Sequence, residues 1–151
     1  MNHTRGVTLF EVLLSLSIVT VLLGITDFAL KTPSTHLYSN DLKAMLQQAR
    51  FEAIKRSAAV SVNWEEDKKA FVMRANAHNA VNCNGTIIKN KALNEYADLS
   101  YSASSFHGIV WLPTGLPRSC NGLLTPATLH FSNGRTNHSL TINSVGKVSL
   151  K

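Results

Sequence analysis

The feature that most constrains this chain is an apolar segment near its start, residues 7–30, that holds a carboxylate. Its 24 residues would form a helix about 36 Å long, enough to cross the roughly 30 Å hydrocarbon core of a membrane. Glu11 lies near the start of this segment. A charged side chain in a membrane-spanning helix costs roughly 2.5–3.5 kcal/mol, so we expect Glu11 to have a functional role.

The segment does not match a cleavable secretory signal. Its apolar run is longer than the usual 7–15 residues of such a signal, and no small-residue cleavage site follows Leu30. Hydropathy alone leaves a plain uncleaved membrane anchor open. Asp27, the other acid of the segment, lies near its far end, and the sequence assigns it no role.

The 121 residues from Lys31 onward are enough for one globular domain with its own core. Arg5, Glu11 and Asp27 are the only charged residues before this point, so the remainder holds 14 of the 15 basic and 7 of the 9 acidic residues, a net charge of +7. Such a charge suits an anionic partner such as nucleic acid or a lipid surface. It is equally common on an ordinary solvated surface.

An amphipathic helix is predicted over about residues 39–57, with Ser39, Asn40 and Asp41 as candidate N-caps. Its predicted apolar stripe consists of Leu42, Met45, Leu46, Ala49, Ala53 and Ile54. Before this helix, Gly24 and Pro33 predict a bend or local melting of the chain between them.

Short strands are predicted after the helix. Alternating apolar residues indicate a hairpin around the acidic turn 65–67, and strands within 98–104, 108–113 and 127–134. A final hairpin is predicted to pair 138–143 with 147–151, with one face turned inward. Segments 76–93 and 112–126 are predicted to be long loops. A long helix followed by an antiparallel sheet is an α+β arrangement.

The two cysteines, Cys83 and Cys120, fit neither a CxxC motif nor a zinc-binding spacing. If the domain lies outside the cytoplasm, a single disulfide is their natural use, and two unpaired thiols are the alternative.

The order RG/VTLFE around the start of the apolar segment resembles the class III leader of type IV pilins and type II secretion pseudopilins. The resemblance implies that a prepilin peptidase removes residues 1–6, cutting between Gly6 and Val7, and methylates the new N-terminus. It also implies that Glu11 of one subunit meets the free α-amino group of a neighbour during assembly. Opposite charges attract strongly there because the surroundings have a low dielectric constant. Val7 departs from the commonest pattern, which has phenylalanine.

Two further stretches, LQQARFEAIKRSAAVSV at 46–62 and LTINSVGKVSLK at 140–151, resemble the GspH/FimT group of minor pilins and pseudopilins. This implies the type IV pilin fold, an α+β structure in which a long N-terminal helix packs on an antiparallel sheet. Residues 7–30 would be the transmembrane and assembly helix, and 31–151 a periplasmic head. The protein would be a single-pass inner-membrane protein that assembles with other pilins into a pilus or pseudopilus.

The resemblance leaves three functions open. The protein is interpreted as a minor type IV pilin at or near the pilus tip, with minor pseudopilin H of a type II secretion system as the alternative. FimT-type members are linked to DNA binding in natural transformation through a C-terminal Gly-Arg-x-Arg motif, where this chain has Gly-Lys-Val-Ser from Gly146. Lys147, Lys151 and Arg135 would form a basic edge for DNA if the last strands pair. A stand-alone, non-specific DNA receptor is the third alternative.

The sequence predicts no enzyme. The histidines are scattered, and no HExxH, GxSxG or glycine-rich phosphate loop occurs. No cofactor or metal site is predicted.

Overall fold

A computed structural model describes residues 8–29, 34–77, 80–93, 99–103, 106–122 and 126–151, without the side chains of 22–29 and 34. The chain divides into two compact units, Met1–Thr32 and Pro33–Lys151. Gly6 and Val7 lie outside the described residues, and so do residues 30–33, on which part of the predicted bend falls.

Within residues 8–29, the described part of the first unit, the chain forms the helix α1, Leu9–Ala29. The large apolar side chains described between Leu9 and Val21 are each between 51% and 81% exposed, and they occur on all sides of the helix. Within the part of the chain that the structure describes, no helix has the length and apolar character needed to cross a membrane.

The second unit begins with helix α2, Ser34–Arg56. The predicted helix is present, but the predicted start at 39–41 is wrong. Ser39 lies inside the helix, where its hydroxyl donates a 2.7 Å hydrogen bond to the Thr35 carbonyl. Thr35 and Tyr38 are fully buried, so packing holds the first turns in place before the candidate caps are reached.

Nine strands follow α2 within the described residues: β1 Val60–Glu65, β2 Ala70–Ala75, β3 Thr86–Ala92, β4 Ser100–Ala103, β5 Ile109–Trp111, β6 Pro117–Ser119, β7 Ala127–Ser132, β8 Asn137–Ile142 and β9 Val148–Leu150. They form two antiparallel sheets, with strand orders β3-β2-β1-β5-β6 and β4-β7-β8-β9. The predicted first and last hairpins are confirmed. In the last one, Leu140 pairs with Leu150 and Ile142 with Val148.

One hydrophobic core lies between α2 and the two sheets. The helix contributes residues three and four positions apart, as a helix packed on one face requires. These are Tyr38, Leu42, Met45, Leu46, Ala49 and Ala53. Phe71, Trp111 and Phe131 are the largest fully buried side chains from the strands. Ala49 and Ala53 are fully buried, and their small side chains let the helix approach the sheets closely.

Two predicted loops contain strands. Segment 76–93 includes β3, which pairs with β2 at one edge of the first sheet, and segment 112–126 includes the short strand β6 at the other edge. Because an edge strand has no partner on one side and β3 is exposed on both faces, its sequence lacks the alternation that identifies a strand. β6 has only three residues and begins at Pro117.

Ile54 was predicted on the buried stripe of α2, and this is wrong because the side chain is 49% exposed. Successive residues of a helix are about 100° apart, so Ile54 points well away from buried Ala53. It lies on the flank of α2 together with Arg50 and Phe51.

Candidate functional site

Glu11 lies in the first turn of α1. The amide of Glu11 donates to the Thr8 hydroxyl over 3.3 Å and to the Thr8 carbonyl over 3.0 Å, which makes Thr8 the N-cap of the helix. Threonine followed three residues later by glutamate is the pattern of a capping box, and an acid in the first turn also interacts favourably with the helix dipole. The sequence Thr-Leu-Phe-Glu signals this N-cap, which was not predicted, and it places Glu11 at the position from which a glutamate side chain can complete a capping box.

The hydroxyl groups on α1 that follow Glu11 donate hydrogen bonds to backbone carbonyls of the same helix. The Ser15 hydroxyl donates to the Glu11 carbonyl over 2.7 Å, and the Ser17 hydroxyl donates to the Leu14 carbonyl over 2.7 Å. The Thr20 hydroxyl donates to the Leu16 and Ser17 carbonyls over 3.1 and 2.8 Å. Because these hydroxyls are satisfied within the helix, their transfer to apolar surroundings costs less than that of free polar groups.

The three candidate DNA-binding residues are all exposed but do not lie together. Lys151 exchanges two backbone hydrogen bonds with Ser139, so the last strands do pair as the predicted basic edge requires. Lys147 lies in the turn between β8 and β9, four residues before Lys151, which is about 13 Å along an extended strand. Arg135 lies in the β7–β8 turn, at the same end of the second sheet as Lys151. The structure thus places Arg135 and Lys151 at one end of the second sheet and Lys147 at the other end.

Cys83 and Cys120 form a disulfide, with Cα atoms 5.5 Å apart. Cys83 belongs to the loop that leads into β3, and Cys120 follows β6, so the bond links segments next to the two edges of the first sheet. Asn76 is buried beneath the loop and donates hydrogen bonds to the Ala80 and Asn82 carbonyls over 2.8 and 2.5 Å. Gly108 has φ +101°, and a Cβ at this position would meet the Cys120 sulfur.

Glu65, the first residue of the acidic turn 65–67, is paired with two cations. Glu65 accepts a 2.5 Å hydrogen bond from the Lys68 ammonium group and another from the Arg74 guanidinium group. These two cations hold the pKa of the Glu65 carboxyl below its ordinary value. In the described part of the chain, no three His, Cys, Asp or Glu side chains are grouped so as to hold a metal ion.

Solved structures of type IV pilin-like proteins share this fold. The minor pilin FimU of Pseudomonas aeruginosa is 23% identical, with 78% of this chain and 87% of that chain covered and a TM-score of 0.58. The minor pseudopilin EpsH from the type 2 secretion system of Vibrio cholerae is 15% identical, with 78% and 96% covered and a TM-score of 0.57. No curated protein sequence matches significantly. The architecture is therefore that of a type IV pilin.

Two sequence families match directly. The family described as type II transport protein GspH matches residues 39–146, and the prokaryotic N-terminal methylation motif matches residues 1–26. The chain belongs to the GspH family, and it is a minor pilin or pseudopilin of the GspH/FimT type. The predicted family and fold class are thereby confirmed.

Proposed function

We propose that this protein is a minor pilin of a type IV pilus, assembled with other pilins at or near the tip of the fibre. A prepilin peptidase removes residues 1–6, and residues 7–30 then anchor the mature chain in the bacterial inner membrane with its head in the periplasm. The observation that carries this proposal is the described part of α1, where large apolar side chains between Leu9 and Val21 occur on all sides of the helix and Glu11 lies in the first turn. A helix that is apolar all round requires apolar surroundings, either lipid or other helices.

Processing is the first expected result. The chain isolated from membranes should begin at Val7 and carry one methyl group on its α-amino nitrogen, as measured by intact mass and by sequencing of the N-terminal peptide. Replacement of Gly6 by valine should leave residues 1–6 attached, because the peptidase would no longer recognise the bond. Wild-type chain that retains residues 1–6 in cells with an active prepilin peptidase would contradict the proposal.

Minor pseudopilin H of a type II secretion system is the alternative within the same class, and the description of the matching family as a type II transport protein favours it. The net charge of +7 from Lys31 onward and the modest length of the chain favour the pilus. Presence of the protein in fibres sheared from the cell surface would support the pilus. Its restriction to cell-envelope complexes, together with loss of exoprotein secretion on deletion, would support the pseudopilus.

DNA binding is a second candidate function, and the grouping of Arg135 with Lys151 at one end of the second sheet supports it. The purified full-length chain in detergent should then shift duplex DNA with an affinity that falls steeply as salt rises. Combined replacement of Arg135 and Lys151 by alanine should lower the slope of log Kd against log salt by about 2, since two phosphate contacts are lost. Lys147→Ala is the matched control and should have a smaller effect. Absence of a shift at low salt would remove this candidate.

A further inference from the structure

The largest exposed apolar side chains on the second unit include three that surround one groove at the end of α2. Phe51 is 63% exposed, Ile54 49% and Val145 63%. With Arg50, Trp111 and Lys147 they line an open groove of about 540 Å³, called here the Trp111 groove. Exposed apolar side chains that occur singly are common, whereas several around one concavity indicate a binding surface.

The floor and walls of the Trp111 groove are held by close packing. Trp111 is fully buried, and the guanidinium carbon of Arg50 lies 5.7 Å from the centre of its ring. Gly146 has φ +84°, and a Cβ there would come within 2.6 Å of Trp111 Cζ3, so the β8–β9 turn rests directly on the indole. A Cβ on Gly115 would lie 3.1 Å from Ile54 Cδ1, so the β5–β6 turn also packs against α2. The groove is therefore a fixed part of the fold.

The charged side chains that line the Trp111 groove are both cations, and the neutral Gln47 is the other polar side chain on its wall. Arg50 and Lys147 line it, none of its lining residues is acidic, and neither cation forms an ion pair within the described part of the chain. Glu52, close in sequence, is paired with Arg56 at 2.6 Å instead. The buried Nε1 of Trp111 has no hydrogen-bond acceptor among the described residues. The groove thus offers apolar surface and positive charge, and it lacks a carboxylate.

We propose that the Trp111 groove binds an apolar segment that carries an aspartate or glutamate, contributed by another pilin subunit of the same assembly. This inference rests on the proposed function and assigns a partner to one surface of the head. The apolar side chains of the segment cover Phe51, Ile54 and Val145. Its carboxylate pairs with Arg50, and Lys147 adds positive charge at the rim.

Shape and chemistry favour a protein segment over other anionic partners. A protein binds a flat lipid surface through side chains that protrude from it, whereas the Trp111 groove is concave. A nucleic acid would neutralise Arg50 and Lys147 but would leave the aliphatic side chains of Ile54 and Val145 in contact with water. A peptide segment can satisfy the charge and cover the apolar surface at the same time.

Photo-crosslinking of the full-length chain tests this inference. p-Benzoylphenylalanine is introduced in place of Phe51, in the cells that make the complete set of pilins, and the crosslinked peptide is identified by mass spectrometry. The expected adduct is a peptide of another pilin with an aspartate or glutamate within four residues of the attachment point. The same amino acid in place of Val81, which is 38% exposed in the β2–β3 loop, is the matched control and should give at least fivefold less of this adduct.

Charge reversal tests the proposed pairing of the bound segment's carboxylate with Arg50 and Lys147. Arg50→Glu should reduce the Phe51 adduct at least fivefold, and Arg50→Lys should retain most of it. Because Arg50 packs on Trp111, Arg50→Glu could disturb folding, so Lys147→Glu in the exposed turn serves as the second variant and should also reduce the adduct. Thermal unfolding followed by tryptophan fluorescence identifies any variant that has lost its fold.

The inference would be overturned if the crosslink yield at position 51 were no higher than at position 81. An adduct with lipid, nucleic acid or a second copy of this chain would also overturn it, and so would a crosslinked pilin peptide that has no aspartate or glutamate nearby. Insensitivity of the adduct to Lys147→Glu and to a folded Arg50→Glu would also overturn it. The same cells are examined for the protein in sheared fibres and pilin complexes. If the protein is present there without the adduct, this inference alone fails, and if it is absent from both, the proposed function fails as well.

Discussion

Replacement of Glu11 by glutamine is expected to reduce the amount of this protein in sheared fibres or crosslinked pilin complexes at least tenfold. In the proposed assembly, the Glu11 carboxylate of one subunit pairs with the α-amino group of a neighbour in surroundings of low dielectric constant. Removal of one partner from a buried ion pair typically costs about 3–5 kcal/mol, because the other charge stays buried and unpaired. Quantitative immunoblotting of the fibre and membrane fractions measures the change.

Glutamine is the informative substitution because it separates the two roles of Glu11. Both glutamate and glutamine can complete a capping box with Thr8, so Glu11→Gln leaves helix capping in place and removes only the charge. Ser15→Ala, one turn further along α1, is the matched control and should leave incorporation unchanged. Normal incorporation of Glu11→Gln, with normal amounts of the variant in the membrane, would show that capping is sufficient and that no charge pair forms.

Combined replacement of Cys83 and Cys120 by serine is expected to lower the free energy of unfolding of the second unit by about 4 kcal/mol. The two cysteines are 37 positions apart, and the entropy that a crosslink of this span removes from the unfolded chain corresponds to that value. Most domains have a total stability of only about 5–15 kcal/mol, so the loss would be large. Urea unfolding monitored by tryptophan fluorescence reports on the second unit, since Trp64 and Trp111 both belong to it.

The reduced wild-type chain is the natural control for the serine variant. It should unfold at nearly the same urea concentration as the variant, because both lack the crosslink and differ by only two side-chain atoms. A difference below about 1 kcal/mol between the oxidised wild type and the serine variant would contradict the expectation. The packing of Asn76 under the loop would then be sufficient to hold the edges of the first sheet.

The local patterns in the sequence predicted much of the fold correctly. The stripe from Leu42 to Ala53 and the alternation of Leu140 and Ile142 each reflect one buried face, which is the signal that periodicity detects. The start of α2 was missed because Ser39 resembles a cap, whereas burial of Thr35 and Tyr38 extends the helix. Strand β3 was missed because none of its residues is fully buried, and tertiary pairing with β2 determines its conformation.

The candidate sites also differ in how far the sequence alone could predict them. The leader around Gly6 and Glu11 is contiguous, so its motif could be read directly from the sequence, although the helix cap at Thr8 was not predicted. The Trp111 groove combines the end of α2, strand β5 and the β8–β9 turn, and no local pattern connects Phe51 with Val145. The separation of Lys147 from Arg135 likewise depends on strand register, which a basic composition does not specify.

The hydroxyl groups of Ser15, Ser17 and Thr20 have a consequence for the path by which such a subunit would join a fibre. Each of them donates to a carbonyl of its own helix, so none needs a partner from lipid, water or a neighbouring subunit. When α1 exchanges one apolar environment for another, these three side chains keep the same bonds throughout. Their bonds within the helix therefore lower the polar barrier to extraction of α1 from a bilayer.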